Sequence, residues 1–130
     1  MALVVVDGGE LIALKALVNH TAQSTNLTLC LYKSDTTPGN TDTLATYTEA
    51  DFTGYSAATL TGGSWVVTGN PVTYAKQTFT SSAGSQNQDV YGYYLKAGTD
   101  LIYAERFSDG PYNIANNGDK IEVTPSLGAD

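Results

Sequence analysis

Val90-Tyr91-Gly92-Tyr93-Tyr94-Leu95-Lys96 and Leu101-Ile102-Tyr103-Ala104-Glu105-Arg106-Phe107 are the stretches on which the fold turns. Successive side chains of a strand point to opposite faces. In the first stretch Tyr91, Tyr93 and Leu95 therefore oppose Val90, Gly92 and Tyr94, and both faces carry groups that belong under cover. The second sets Leu101, Tyr103, Glu105 and Phe107 against Ile102, Ala104 and Arg106. Working back toward the N-terminus, residues 26–33 show the same period, with Leu27, Leu29 and Leu31 on one face and Thr28, Cys30 and Tyr32 on the other. Toward the C-terminus, residues 120–124 turn Ile121 and Val123 inward and stop at Pro125, which cannot donate to a ladder.

Between these segments lie shorter ones. Residues 56–60 and 64–68, separated by Gly62-Gly63, read as a hairpin. Residues 72–80 carry Val72 and Tyr74 in phase but Phe79 out of phase, which predicts a bend or bulge near Ala75-Lys76. Residues 81–89 are polar and read as a flexible loop. Pro38-Gly39-Asn40 marks a turn, and residues 48–52 read as one helical turn with Thr48 as N-cap. The only convincing α-helix opens at Gly9-Glu10, with Leu11, Leu14, Leu17 and Val18 at helical spacing. Asp7 sits where it could cap the helix or suit the positive end of its dipole, and the periodicity ends at Asn19 and His20. The expected fold is mainly β, an antiparallel β-sandwich or jelly-roll-like barrel with one short N-terminal helix. Residues 1–130 read as a single domain, in which residues 1–8 could form an extended arm.

Composition supports this class. Of the 130 residues only 15% are charged, while Tyr occurs nine times and Thr, Ser, Asn and Gly fill the polar positions. Acids outnumber bases, for a net charge of -7. Neutralising phosphates requires Lys and Arg, so this balance argues against nucleic acid as a partner. No apolar run approaches the length of a membrane span, and the apolar residues 2–6 are too few for a secretory leader. The single cysteine, Cys30, cannot form an internal disulfide, and between Leu29 and Leu31 it reads as a small buried hydrophobe. Two Asn-x-Thr sequons, at Asn19 and Asn26, carry little weight in a Thr-rich chain without a leader.

Residues for catalysis are scarce. The lone histidine, His20, falls at a helix end, where an imidazole can bond free carbonyls. A nucleophilic dyad with Cys30 would need an accessible thiolate, and a zinc site would need more Cys or His than the chain has. Glu49, Asp51, Glu105, Asp109 and Asp119 are carboxylates near turns. No spacing identifies a glycosidase pair among them, and a calcium ion held by loop carboxylates stays open. No cofactor is expected. Tyr91, Tyr93, Tyr94 and Tyr103 have two readings: a platform on which sugar rings stack, or cross-strand packing pairs.

Residues 44–60, Leu-Ala-Thr-Tyr-Thr-Glu-Ala-Asp-Phe-Thr-Gly-Tyr-Ser-Ala-Ala-Thr-Leu, add a different kind of evidence. Together with Val90-Tyr91-Gly92-Tyr93-Tyr94 and Leu101-Ile102-Tyr103-Ala104-Glu105-Arg106-Phe107, they resemble small virion structural proteins of tailed bacteriophages. The order of a short helix, a Leu-Thr-Leu-Cys-Leu-Tyr-Lys strand and a closing Gly-Asp-Lys-Ile-Glu-Val-Thr-Pro strand is similar too. The resemblance implies a capsid decoration (cement) protein, made in the host cytoplasm and carried on the phage head, with the major capsid protein as partner. It implies no catalytic residue. Closed assemblies bury equivalent patches, so a homo-oligomer, with a trimer favoured, is expected. Leu3, Val4, Val5 and Val6 are candidates for intersubunit strand addition, or form an ordinary edge strand of their own sheet. The alternative is a small tail-associated or receptor-binding module that contacts a glycan.

Overall fold

The computed structural model describes residues 4–21, 23 and 25–128. Among them are eleven strands, all paired antiparallel, and one α-helix. The chain runs β1 (Val4–Val5), α1 (Asp7–Asn19), β2 (Leu27–Tyr32), a 3-10 turn (Leu44–Thr46), β3 (Ala58–Leu60), β4 (Val72–Thr73) and β5 (Gln77–Thr80). It continues with β6 (Gln88–Val90), β7 (Gly92–Ala97), β8 (Asp100–Arg106), β9 (Tyr112–Ile114), β10 (Lys120–Val123) and β11 (Ser126–Leu127). Five strands form the main sheet in the order β1-β8-β7-β2-β3, and three two-stranded ladders, β10-β5, β11-β4 and β6-β9, complete the fold. The sheets do not close into a barrel. The arrangement is that of a β-sandwich.

The alternation read from sequence sets most of the two faces of the main sheet, with two corrections. A break at Tyr91 puts Val90 on the side of Tyr93 and Leu95, and Tyr91 on the side of Tyr94. A bulge in the β7–β8 pairing puts Ile102 with Tyr103 and Leu101 with Ala104. Leu31 lies opposite Tyr93 and Leu29 opposite Leu95, while Cys30 lies opposite Tyr94. Across the next pairing Leu95 meets Tyr103 and Tyr94 meets Ala104. Leu29, Leu31, Tyr93, Leu95 and Tyr103 thus face the small ladders, against Phe79, Val90, Ile114, Ile121 and Val123. The opposite face carries Cys30, Tyr32, Tyr94 and Ala104 under Val6 and Tyr47. Tyr47 stacks on Tyr94 at 5.4 Å between ring centroids and meets Tyr32 edge-on at 4.8 Å. Both faces are therefore covered, one by a second layer of strands and the other by the segment after β2 and the residues entering α1.

Several local readings change. The Gly62-Gly63 turn does not close a hairpin. Leu60 pairs with Leu27 of β2, and Val66 bridges Thr73 instead. The helical turn is at Leu44–Thr46, opened by Thr43 N–H donating to Thr46 Oγ1 (3.1 Å), whereas Glu49 forms a strand-like bridge with Tyr32. The bend near Ala75-Lys76 is a complete break, after which β4 and β5 pair with different strands. The polar stretch after β5 is tied down: Ser81 is buried, its Oγ donates to Ala83 O (2.9 Å) and accepts from Gln86 Nε2 (2.6 Å).

Candidate interaction surface

The N-terminal residues settle into their own fold. Val4 pairs with Ala104 and Val5 with Tyr103, so β1 is an edge strand of the main sheet and not an arm reaching outward. Val6 is 1% exposed and donates its N–H to Ile102 O (3.1 Å). Val4, Val5 and Val6 thus follow the edge-strand reading: the main-chain groups that face β8 are spent there, while an edge strand keeps a second row that faces away from its sheet. Leu3 lies outside the described residues.

The tyrosines are also inside. Tyr93, Tyr94 and Tyr103 are buried in the two cores, so they pack and do not present a platform. Tyr91 is half-buried and takes the Arg106 guanidinium over its ring at 5.1 Å. Arg106 in turn pairs with Asp35 (2.7 Å). Cross-strand neighbours on a covered face compete for burial, and large aromatic rings win it.

The chemically active side chains are occupied by structure. Cys30 is fully buried, and desolvation, helped by the nearby Glu49 charge, pushes its thiol up to about 11. Glu49 accepts from Tyr55 Oη (2.6 Å). Asp51 pairs with Lys33 (2.8 Å) and accepts from Gln88 Nε2 (2.7 Å). Asp119 accepts from the N–H groups of Ala115 (3.0 Å) and Asn116 (2.8 Å), and Asp109 from Tyr112 Oη. Among the described residues, no group of three or more His, Cys, Asp or Glu is gathered as a metal site would need.

The feature left open is α1, whose exposure the sequence reading did not anticipate. Val6 precedes it in an extended conformation, and Asp7 and Glu10 occupy the first turn, so Asp7 complements the dipole without being the cap. Gly9 stands in the first turn because the helix crosses the β8 backbone closely there. A Cβ on Gly9 would lie 2.4 Å from Ile102 O. At the far end His20 takes a left-handed φ of 55°, and Thr21 N–H returns to Lys15 O (3.3 Å). His20 thus ends the helix through its backbone.

With 3.6 residues per turn, Gly9 and Ile12 share the side that touches the domain. Gly9 is buried there, and Ile12 packs partly on the core. From Ala13 onward the helix stands in solvent. Leu11, Leu14, Leu17 and Val18 are 51%, 56%, 75% and 66% exposed. Leaving such side chains in water forgoes roughly 1–2 kcal/mol each. A helix that is apolar on nearly every side belongs in a buried setting, and one of 13 residues is marginal in water without packing. It is nevertheless too short to cross a membrane; among the described residues no helix is long and apolar enough to do so.

A second surface lies at the opposite edge of the main sheet. Trp65, packed edge-on against Tyr74 at 5.3 Å, lines a groove of about 370 Å³ together with Leu27, Leu60, Val72 and the polar Asn26. Val66 and Val67 are exposed beside it. No protein-family model, curated protein or solved structure matches the chain.

Proposed function

We propose that this chain is a non-enzymatic virion structural protein, a capsid decoration protein that binds the outside of a phage head and stabilises it. The observation that carries the reading is the apolar surface of α1, held out from a domain whose main sheet is already covered on both faces. A domain that holds an unsatisfied apolar helix in solvent is built to assemble. The resemblance of residues 44–60, 90–94 and 101–107 to small phage virion proteins supplies the setting. The partners are the major capsid protein and further copies of the chain. A protein that binds the closed shell and not the opened one stabilises the shell by mass action.

A second reading is a tail-associated module, and one observation favours it. The groove lined by Trp65 and Asn26 joins an aromatic side chain to a polar one, the combination on which a sugar ring stacks and hydrogen-bonds. Cosedimentation with phage heads that lack the protein, run beside a glycan array, separates the two. Saturable binding to heads, with a higher temperature of head rupture, supports decoration. Saturable glycan binding without head binding overturns it in favour of the tail.

A further inference from the structure

We propose that α1 is a self-association helix, whose Leu11, Leu14 and Val18 stripe packs in parallel against the same stripe of further copies of this chain. The inference deepens the assembly reading but is decided in solution, without any capsid.

Positions 11, 14 and 18 are spaced three and then four apart, as are the seam positions of helices that pack side by side. They lie on the side of α1 opposite Gly9 and Ile12, its anchors on the domain. A second copy can approach the seam without disturbing that anchorage. Leu17 widens the seam on one flank, and Asp7 ends it at the domain.

Charge identifies the occupant. Glu10 and Lys15 are the only charged side chains on α1 besides Asp7, and both are exposed. They flank the seam on opposite sides, five residues apart. In a parallel pair the residue on one flank faces the residue five positions further along its neighbour. Glu10 of one copy then meets Lys15 of the next. A centred antiparallel pair instead sets Lys15 beside Lys15 and Glu10 beside Leu17, giving a repulsion and no attraction. The charge pattern therefore favours parallel helices and disfavours the alternative. Parallel helices share one axis and carry their β-domains at the same end of it, which is the geometry of a closed cyclic assembly.

The test is light scattering and sedimentation of the full chain over a range of concentrations. The expected result is a discrete oligomer that Leu14→Glu converts to a monomer with unchanged near-ultraviolet circular dichroism. Glu10→Lys and Lys15→Glu should each weaken association roughly fivefold, and the double exchange should restore it. Val18→Cys should yield a disulfide-linked dimer on oxidation, since parallel packing sets Val18 against Val18 and native Cys30 is buried. A wild-type monomer at high concentration overturns the inference, as does an oligomer indifferent to Leu14→Glu or a charge exchange that fails to rescue. A monomer whose head binding is lost with Leu14→Glu gives α1 to the capsid protein, overturning self-association while leaving decoration intact. An oligomer that ignores heads does the reverse.

Discussion

At Gly92 two strands and a ring converge. A Cβ there would lie 2.2 Å from Glu105 O and 2.6 Å from the Tyr32 ring, whose hydroxyl donates to Thr36 O (3.0 Å). Backbone on one side and a fully buried tyrosine on the other leave no room to yield, so Gly92→Ala should cost about 3 kcal/mol. Urea denaturation would measure this. Wild-type stability in the variant would mean that Tyr32 can move aside. Tyr103 presents the opposite case. Its hydroxyl is buried, and neither Tyr93 nor the Ser126 backbone meets it in hydrogen-bonding geometry. Removing an unsatisfied polar atom removes a desolvation penalty, so Tyr103→Phe should leave stability unchanged or raise it by up to about 1 kcal/mol. A clear loss of stability would show that the hydroxyl has a partner after all. Sequence period could assign Gly92 and Tyr103 to strands. It could not say which ring lies over the glycine, because that depends on the register between β2 and β7.

At the scale of elements, α1 depends on the contact at its first turn. Gly9→Ala would drive a methyl group into the β8 backbone at Ile102. Since backbone cannot swing away like a side chain, the helix should lift off, at a cost of about 1–3 kcal/mol. Hydrogen exchange should then show loss of protection along α1 while β2, β7 and β8 stay protected. Uniform loss across the sheet would mean that α1 and the sheet unfold as one unit. The long strands were legible in the sequence because each repeats its period several times: β2 has its faces as read, and β7 and β8 do from Gly92 and from Tyr103 onward. The break at Tyr91 and the bulge at Ile102 shift the phase of Val90, Tyr91, Leu101 and Ile102, which period alone could not show. The short ones were not. Gly62-Gly63 was a sound turn signal, but a turn does not state which strand follows it, and Leu60 found Leu27 across the sheet. Helical spacing at Leu11, Leu14, Leu17 and Val18 identified a helix. Its exposure was invisible because spacing defines a stripe and not what covers it.

For the whole molecule, burial of so many tyrosines ties stability to pH on the alkaline side. Desolvation is the first cause in each case. It pushes Tyr32 up to about 12 and Cys30 up to about 11, and it raises Tyr47, Tyr55, Tyr93, Tyr94 and Tyr103 as well. These groups stay protonated when folded, but in the unfolded chain they ionise near 9 for cysteine and 10 for tyrosine. Below pH 9 both states hold the protons, and the contribution to stability is fully present. Above it the unfolded chain sheds protons that the folded chain keeps, so stability falls with rising pH and is lost as the folded values are approached. Each tyrosinate also adds to a chain already at -7, which increases self-repulsion. The acid side is weaker. Asp51, Asp119 and Glu122 are held below the usual carboxylate range by Lys33, by the N–H groups of Asn116 and Ala115, and by Lys76, but Asp51 and Glu122 are exposed and Asp119 is only half-buried. Tm should therefore be nearly level from neutral pH to about 9 and then drop steeply. Absorbance should show the buried tyrosines ionising together, in the same narrow range in which circular dichroism reports unfolding. Gradual ionisation from pH 10 upward with the fold intact would mean that the rings on the Cys30 face of the main sheet are open to water, and that only the face toward the small ladders is a true core.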